Sequence, residues 1–257
     1  LRVGKIPYLN LFPIFYWLEK YSTMNLQITE GPPSKVNRML QKNELDISPS
    51  SSVVYLSAME EFGFLSGHSI SSIGPIKSII LISKYPLKQL STTIALSPVS
   101  ETSNLLLRVI LEKFYNLHPR YISVQKQDLS SLSYADAVLF IGDDALEICY
   151  RHISGLYQYD LGEVWFSETG LPAVFALWIY QKRNFDKIKI FQDELDRAKN
   201  WALDNLRYIA QFAPLRNLFG EDMLVQYWKS ISYDFKEPHL KGLELFGRYI
   251  SELQRIS

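Results

Sequence analysis

An α/β protein in two lobes is the fold class this sequence predicts, and three observations point to it. Short β-rich runs alternate with longer amphipathic ones, the pattern of strands joined by helical crossovers. The strand–helix order restarts after Tyr85-Pro86. Two long apolar β runs, 76–83 and 172–180, suit a chain that leaves one lobe and later returns to it. The expected division is 1–83 plus 173–257 in one lobe, with the C-terminal helices, and 84–172 in the other, with a ligand cleft between them. A single open sheet is the alternative.

The elements follow in order. Arg2–Ile6 is a strand candidate, Pro7-Tyr8-Leu9-Asn10 a turn, and Leu11–Lys20 a helix, with Pro13 tolerated in its first turn. Leu26–Glu30 is a strand closed by Gly31-Pro32-Pro33, and Ser34 caps a helix through Gln41 that carries Val36, Met39 and Leu40 on one face. Leu45–Ser48 is a short strand, which Pro49-Ser50-Ser51-Ser52 turns into a helix near 53–59. Ile76–Ser83 and Thr92–Leu96 are strands, Thr102–Tyr115 a helix, and Tyr121–Gln125 and Ala137–Ile141 strands. Gly142-Asp143-Asp144 opens a short helix, Gln158–Leu161 is a strand, and Pro172–Tyr180 is the second crossing run. From Phe191 onward the tail is helical. Phe191, Leu195, Ala198, Ala202, Leu206 and Ile209 form one apolar stripe, and a last helix spans about 237–254.

Composition narrows the function. The 257 residues carry 27 Lys+Arg and 27 Asp+Glu, so the chain is neutral and lacks the basic footprint a nucleic-acid binder uses to displace counterions. With 47% apolar residues it can bury a sizeable core, and no apolar run reaches the roughly 18 residues of a membrane span. One cysteine, Cys149, excludes an intrachain disulfide framework and a multi-cysteine zinc site. No signal-like segment precedes the first strand, so a cytoplasmic location is expected. His68, His118, His152 and His239 have no second His or Cys at ligand spacing, so no metal is expected. Gly-x-Ser-x-Gly, Gly-x-Gly-x-x-Gly and phosphate-loop patterns are absent, which disfavours nucleotide and dinucleotide cofactors.

Candidate residues sit at the carboxyl ends of strands, where open α/β sheets bind ligands. Tyr8 and Asn10 follow the first strand. A neutral Asn can bind a hydroxyl or a carboxylate, or simply cap the next helix. Ser50, Ser51 and Ser52 present hydroxyls and N–H groups at a helix start, where an anion is favoured, or form a plain cap. Ser97, Ser100, Glu101, Thr102 and Ser103 repeat that logic in the second lobe. Asp143 is a general base, a hydroxyl acceptor or a cap. Gly170, in Gly-Leu-Pro, is a hinge or offers backbone contacts.

These same stretches carry a family resemblance. Arg2-Val3-Gly4-Lys5-Ile6-Pro7-Tyr8-Leu9-Asn10, Leu45–Ser52, Ser100–Ser103, Ile141–Leu146 and Tyr159-Asp160-Leu161-Gly162 through Thr169–Pro172 to Trp178 resemble, in order, the chorismate dehydratase family of menaquinone biosynthesis (MqnA). The resemblance covers about 2–180 and, weakly, the helical tail. It implies a two-lobed fold like the type II periplasmic binding proteins, used as a cytoplasmic enzyme. The implied reaction removes water from chorismate, a dianion, to give 3-[(1-carboxyvinyl)oxy]benzoate, with no cofactor. It further implies that Asn10 is the active-site asparagine, and that the serines at 50–52 and 100–103 lie in carboxylate-binding turns. A non-catalytic solute-binding or sensor protein of the same fold, and the related dihydroxynaphthoate synthase, are the other expectations. The chain lacks the Ser-Pro-Cys-Pro-Asn-Asp type opening of the latter. The expected assembly is a monomer or weak dimer that binds neither nucleic acid nor membrane.

Overall fold

The computed structural model describes residues 1–151 and 153–256; His152 and Ser257 lie outside the described residues. The chain runs β1 (Arg2–Lys5), α1 (Phe12–Lys20), β2 (Gln27–Glu30), α2 (Pro33–Gln41), β3 (Ile47–Ser51), α3 (Ser52–Ser57), β4 (Phe62–Ser72) and β5 (Ile79–Ser83). It continues through β6 (Thr93–Leu96), α4 (Glu101–Val109), β7 (Arg120–Ser123), β8 (Ala137–Ile141), α5 (Gly142–Cys149), β9 (Tyr157–Asp160), α6 (Leu161–Thr169) and β10 (Ala173–Gln181). The helices α7 (Phe185–Asp204), α8 (Leu206–Ala210), α9 (Arg216–Phe219), α10 (Glu221–Ser230) and α11 (Glu237–Ile256) follow. Among the described residues no helix is long and apolar enough to cross a membrane.

The strands form two five-stranded sheets, ordered β2-β1-β3-β10-β4 and β7-β6-β8-β5-β9. In the first, β1 pairs parallel with β2 and β3, and β10 is antiparallel to β3. In the second, β6 pairs parallel with β7 and β8, and β5 is antiparallel to β8 and β9. The wholly buried runs β5 (Ile-Ile-Leu-Ile-Ser) and β8 (Ala-Val-Leu-Phe-Ile) are central strands covered on both faces. In the first sheet the aromatic-rich β10 is an interior strand, between β3 and β4. Phe15 of α1 stacks on its Trp178 at 5.6 Å, and Phe191 of α7 packs on the same ring at 5.8 Å.

The chain divides into two compact units, residues 1–70 with 175–235 and residues 71–174 with 236–257. The expected boundaries are corrected at three places. The first crossing is made by β4, at 70/71, and the run 76–83 instead lies inside the second sheet as β5. The polar composition of β4 (Phe-Gly-Phe-Leu-Ser-Gly-His-Ser-Ile-Ser-Ser) hides an eleven-residue strand from a search for apolar runs. The return falls at 174/175, just inside β10. The last helix, expected with the first lobe, belongs to the second unit, so the chain crosses a third time at 235/236. There Phe246 and Tyr249 of α11 meet Trp165 of α6 edge-on at 5.9 and 6.5 Å, and Lys113 pairs with Glu252 at 2.9 Å.

One helix, α6, goes beyond the expected helices. Asp160 caps α6, accepting from the N–H groups of Gly162 (2.9 Å) and Glu163 (3.1 Å) as well as Ile76 (3.1 Å) and Lys77 (2.6 Å). Burial raises its carboxyl above the ordinary range, and the four donors oppose that rise. The helix expected over 102–115 is α-helical over 101–109 and closes on a π turn at Ile110–Phe114.

In the first unit a polar cluster around the buried His68 and Lys199 ties β4 to α7. His68 Nε2 stands 2.9 Å from Asp196 Oδ1. Lys199 Nζ donates to Gly67 O (2.8 Å) and Asp234 Oδ1 (2.9 Å). Burial, with Lys199 nearby, lowers the His68 pKa to about 4 against the pull of Asp196 and Asp234. Between pH 6.5 and 4 the unfolded chain therefore binds a proton that the native state refuses, so stability falls as pH falls through that window. The expected loss is on the order of 2 kcal/mol. Urea midpoints at pH 7 and pH 4.5 check this, since His68→Gln should flatten the dependence. An equal slope in the variant would assign it to other groups.

Candidate functional site

Because β1 and β3 run parallel, their carboxyl ends share one edge of the first sheet, and the 6–11 loop and the start of α3 both lie there. The loop is held by its own backbone. Tyr8 N–H donates to Ile6 O (2.8 Å), Leu11 N–H to Tyr8 O (3.1 Å) and Phe12 N–H to Leu9 O (3.2 Å). Two buried side chains from the far end of the unit complete it. Trp228 Nε1 donates to Leu9 O and the Tyr233 hydroxyl to Asn10 O, each at 2.7 Å.

Asn10 does not cap α1. The helix starts at Phe12, with Leu11 at the capping position and no side-chain cap bond. Asn10 Oδ1 is instead buried with no hydrogen-bond partner. Native proteins leave few such atoms, because each costs about 1–3 kcal/mol. An unpartnered carboxamide oxygen at a sheet's carboxyl edge is suited to meet a ligand.

The serines after β3 also depart from expectation. Ser50 and Ser51 belong to the strand, opposite Leu177 and Ala176 of β10, and α3 starts only at Ser52. Pro49 does not end the strand early, since β1 pairs with β3 only at Val3↔Ile47 and asks no N–H of residue 49. Ser51 makes no cap bond to α3. Ser50 Oγ and Ser52 Oγ are fully buried and, like Asn10 Oδ1, lack a partner. This edge therefore holds three unsatisfied oxygens on neutral side chains, two of them hydroxyls able to donate to an anion. Tyr8, on the same loop, is half-buried and already engaged.

At the carboxyl edge of the second sheet, the turns after β6 and β8 lie side by side because those strands are parallel. Ser100 is a true cap of α4. Its Oγ accepts from Ser103 N–H (3.2 Å) and donates to Ser103 Oγ (2.8 Å). Ser97 is fixed by Asn104, which accepts from its N–H (3.0 Å) and donates to its carbonyl (2.8 Å). Ser97, Thr102 and Ser103 are buried and Glu101 is exposed. The cap of α5 is Ile141 with no side-chain bond, so Asp143 is not a cap. It lies half-buried in the first turn, after Gly142 at φ 66°. Gln127 holds that turn, accepting from Ile141 N–H (2.6 Å) and donating to Ile141 O (3.3 Å). Gly170 ends α6 in the left-handed conformation (φ 68°), with its N–H given to Phe166 O (2.8 Å), so it offers no free N–H to a ligand.

The residues that sequence reasoning misses are mostly supports. Trp228 and Tyr233 lie more than 200 residues from the loop they hold, and no local pattern announces them. Asn104 and Asp160 were within reach. Asn104 closes the Ser97 turn seven residues on, and Asp160 with Glu163 three residues later is a helix-start signature.

Comparison with known proteins agrees with this architecture. A crystal structure of a protein from Archaeoglobus fulgidus superposes with a TM-score of 0.77 at 15% identity, covering 100% of this chain and 98% of that one. The periplasmic aliphatic sulphonate binding protein SsuA of Escherichia coli superposes at 0.68 and 12% identity, over 99% and 91% of the two chains. The fold is thus that of the periplasmic binding proteins. In sequence, the chain is 30% identical to a chorismate dehydratase of Thermus thermophilus, over 95% of this chain and 93% of that protein. A chorismate dehydratase of Campylobacter jejuni is 29% identical over 67% and 64%. The family model for menaquinone biosynthesis matches residues 1–252, and the chain belongs to that family.

Proposed function

We propose that the protein is a chorismate dehydratase, a carbon–oxygen lyase acting on a small dianionic substrate. The observation that carries this reading is Asn10, whose buried carboxamide oxygen has no partner, in a chain similar over 95% of its length to a chorismate dehydratase. In the reaction a ring carbon of chorismate gives up its proton and the neighbouring carbon loses hydroxide. A carbon–carbon double bond forms between them, and proton and hydroxide leave as water. The product ring is aromatic, so the overall step is downhill, and the protein's part is to orient the substrate and stabilise developing charge.

Asn10 bonds the leaving hydroxyl or the ring carboxylate, Ser50 and Ser52 donate to a carboxylate, and the substrate's own carboxylate takes the proton. Tyr8, Ser51, Ser97, Ser100, Glu101, Thr102 and Ser103 stand as further contact candidates. Asp143 is the rival base. Asp143→Asn is expected to keep turnover within about tenfold of the parent, whereas loss of a general base costs about 10²–10⁴-fold. A loss in that upper range, read as kcat at saturating chorismate, would transfer the proton to Asp143. The reading as a whole is tested by incubating the purified protein with chorismate and following 3-[(1-carboxyvinyl)oxy]benzoate by chromatography. Tight binding of unchanged chorismate would instead make it a solute-binding protein.

A further inference from the structure

We infer that Tyr233 is a positioning residue for Asn10; this rests on the reading of Asn10 as the substrate-contacting amide. Tyr233 is 4% exposed, and its hydroxyl donates to the Asn10 carbonyl at 2.7 Å. The carbonyls of Ile6, Tyr8 and Leu9 accept from neighbouring N–H groups or from Trp228, whereas the Asn10 carbonyl accepts a hydroxyl from a distant segment. Tyr233 is itself fixed from behind. Its carbonyl accepts from Ser69 N–H at 3.0 Å, the next carbonyl, of Asp234, accepts from Ser69 Oγ, and the Asp234 carboxylate takes Lys199 Nζ at 2.9 Å. Burial pushes the phenol pKa well above its ordinary value, so the hydroxyl stays a donor across the working pH range.

A carbonyl released from this bond rotates its peptide and carries the Asn10 side chain with it. A misplacement on the order of 1 Å at a reacting group can cost up to about 100-fold in rate. The role is therefore to aim the carboxamide, while the substrate touches only Asn10.

The test is a double-mutant cycle in turnover of chorismate. Tyr233→Phe, which keeps the ring and removes one oxygen, is expected to lower kcat about tenfold with KM changed less than about twofold. In the Asn10→Ala background the same change should alter kcat by less than about twofold, because there is no carboxamide left to aim. A tenfold loss that recurs in that background overturns the proposal. A second measurement does not depend on activity. The side-chain amide signals of Asn10, assigned by their disappearance in Asn10→Ala, should shift in the ¹⁵N spectrum of Tyr233→Phe. Unshifted signals overturn the proposal as well. Failure of the parent protein to convert chorismate would instead strike the proposed function, and the spectral result would still decide the coupling of Tyr233 to Asn10.

Discussion

Asn10→Ala is expected to lower turnover of chorismate by about 10²–10³-fold, the usual effect of removing one preorganised polar group from a site of developing charge. The fold should not suffer, and the reason lies in the geometry. The carbonyl of Asn10 keeps its bond to Tyr233 in the variant, and α1 takes no cap from the lost side chain. What disappears is a buried oxygen with no partner. Removing an unsatisfied polar atom relieves about 1–3 kcal/mol of desolvation, which offsets the lost packing of a short side chain. Activity and stability should therefore move apart, with turnover collapsing while the urea midpoint holds or rises. A parallel fall of both would mean that Asn10 is part of the scaffold. Near-normal turnover would remove it from the chemistry.

The largest stability effect is expected at Gly242→Ala in α11. An isolated helix would gain about 1 kcal/mol from this change, since Ala is the better helix former. Here a Cβ at position 242 would sit 2.2 Å from the carbonyl oxygen of Pro172, with Leu171 Cβ behind it at 3.6 Å. Backbone cannot swing aside as a side chain can, so the helix must lift off the Leu171–Pro172 segment. Lifting it also loosens Phe246 and Tyr249 from Trp165. Overpacking in a filled site costs about 1–3 kcal/mol and sometimes more. The contact outweighs the propensity, and a net loss of about 2 kcal/mol or more in urea unfolding is expected. A variant as stable as the parent would mean that α11 does not sit against Pro172.

The alternating pattern was a sound guide to the parallel parts of both sheets, because β8 is a wholly buried apolar run and β1 and β6 each bury their two middle residues. It failed at β4, where serines and glycines fill a strand that is stable through its partners and not through its own propensity. The Ser50–Ser52 segment misled for a related reason. A Pro followed by three serines has the chemistry of a turn, yet pairing with β10 extends the strand as far as Ser51. The position of Asn10 at a strand's carboxyl end was readable, but its freedom from capping was not, since that depends on where α1 starts. Trp228 and Tyr233, which hold the loop, were invisible because their contact spans more than 200 residues.

The threading of the chain, with crossings at 70/71, 174/175 and 235/236, has a consequence for biosynthesis. The strands of the second sheet have all been synthesised by residue 160, yet the helix that covers Trp165 begins only at residue 237. The first unit likewise waits for its interior strand β10 until residue 181 has been translated, and for the helices after it until residue 230. Nascent chains halted between residues 180 and 235 should therefore hold an uncovered aromatic surface, and chaperone capture should peak in that interval.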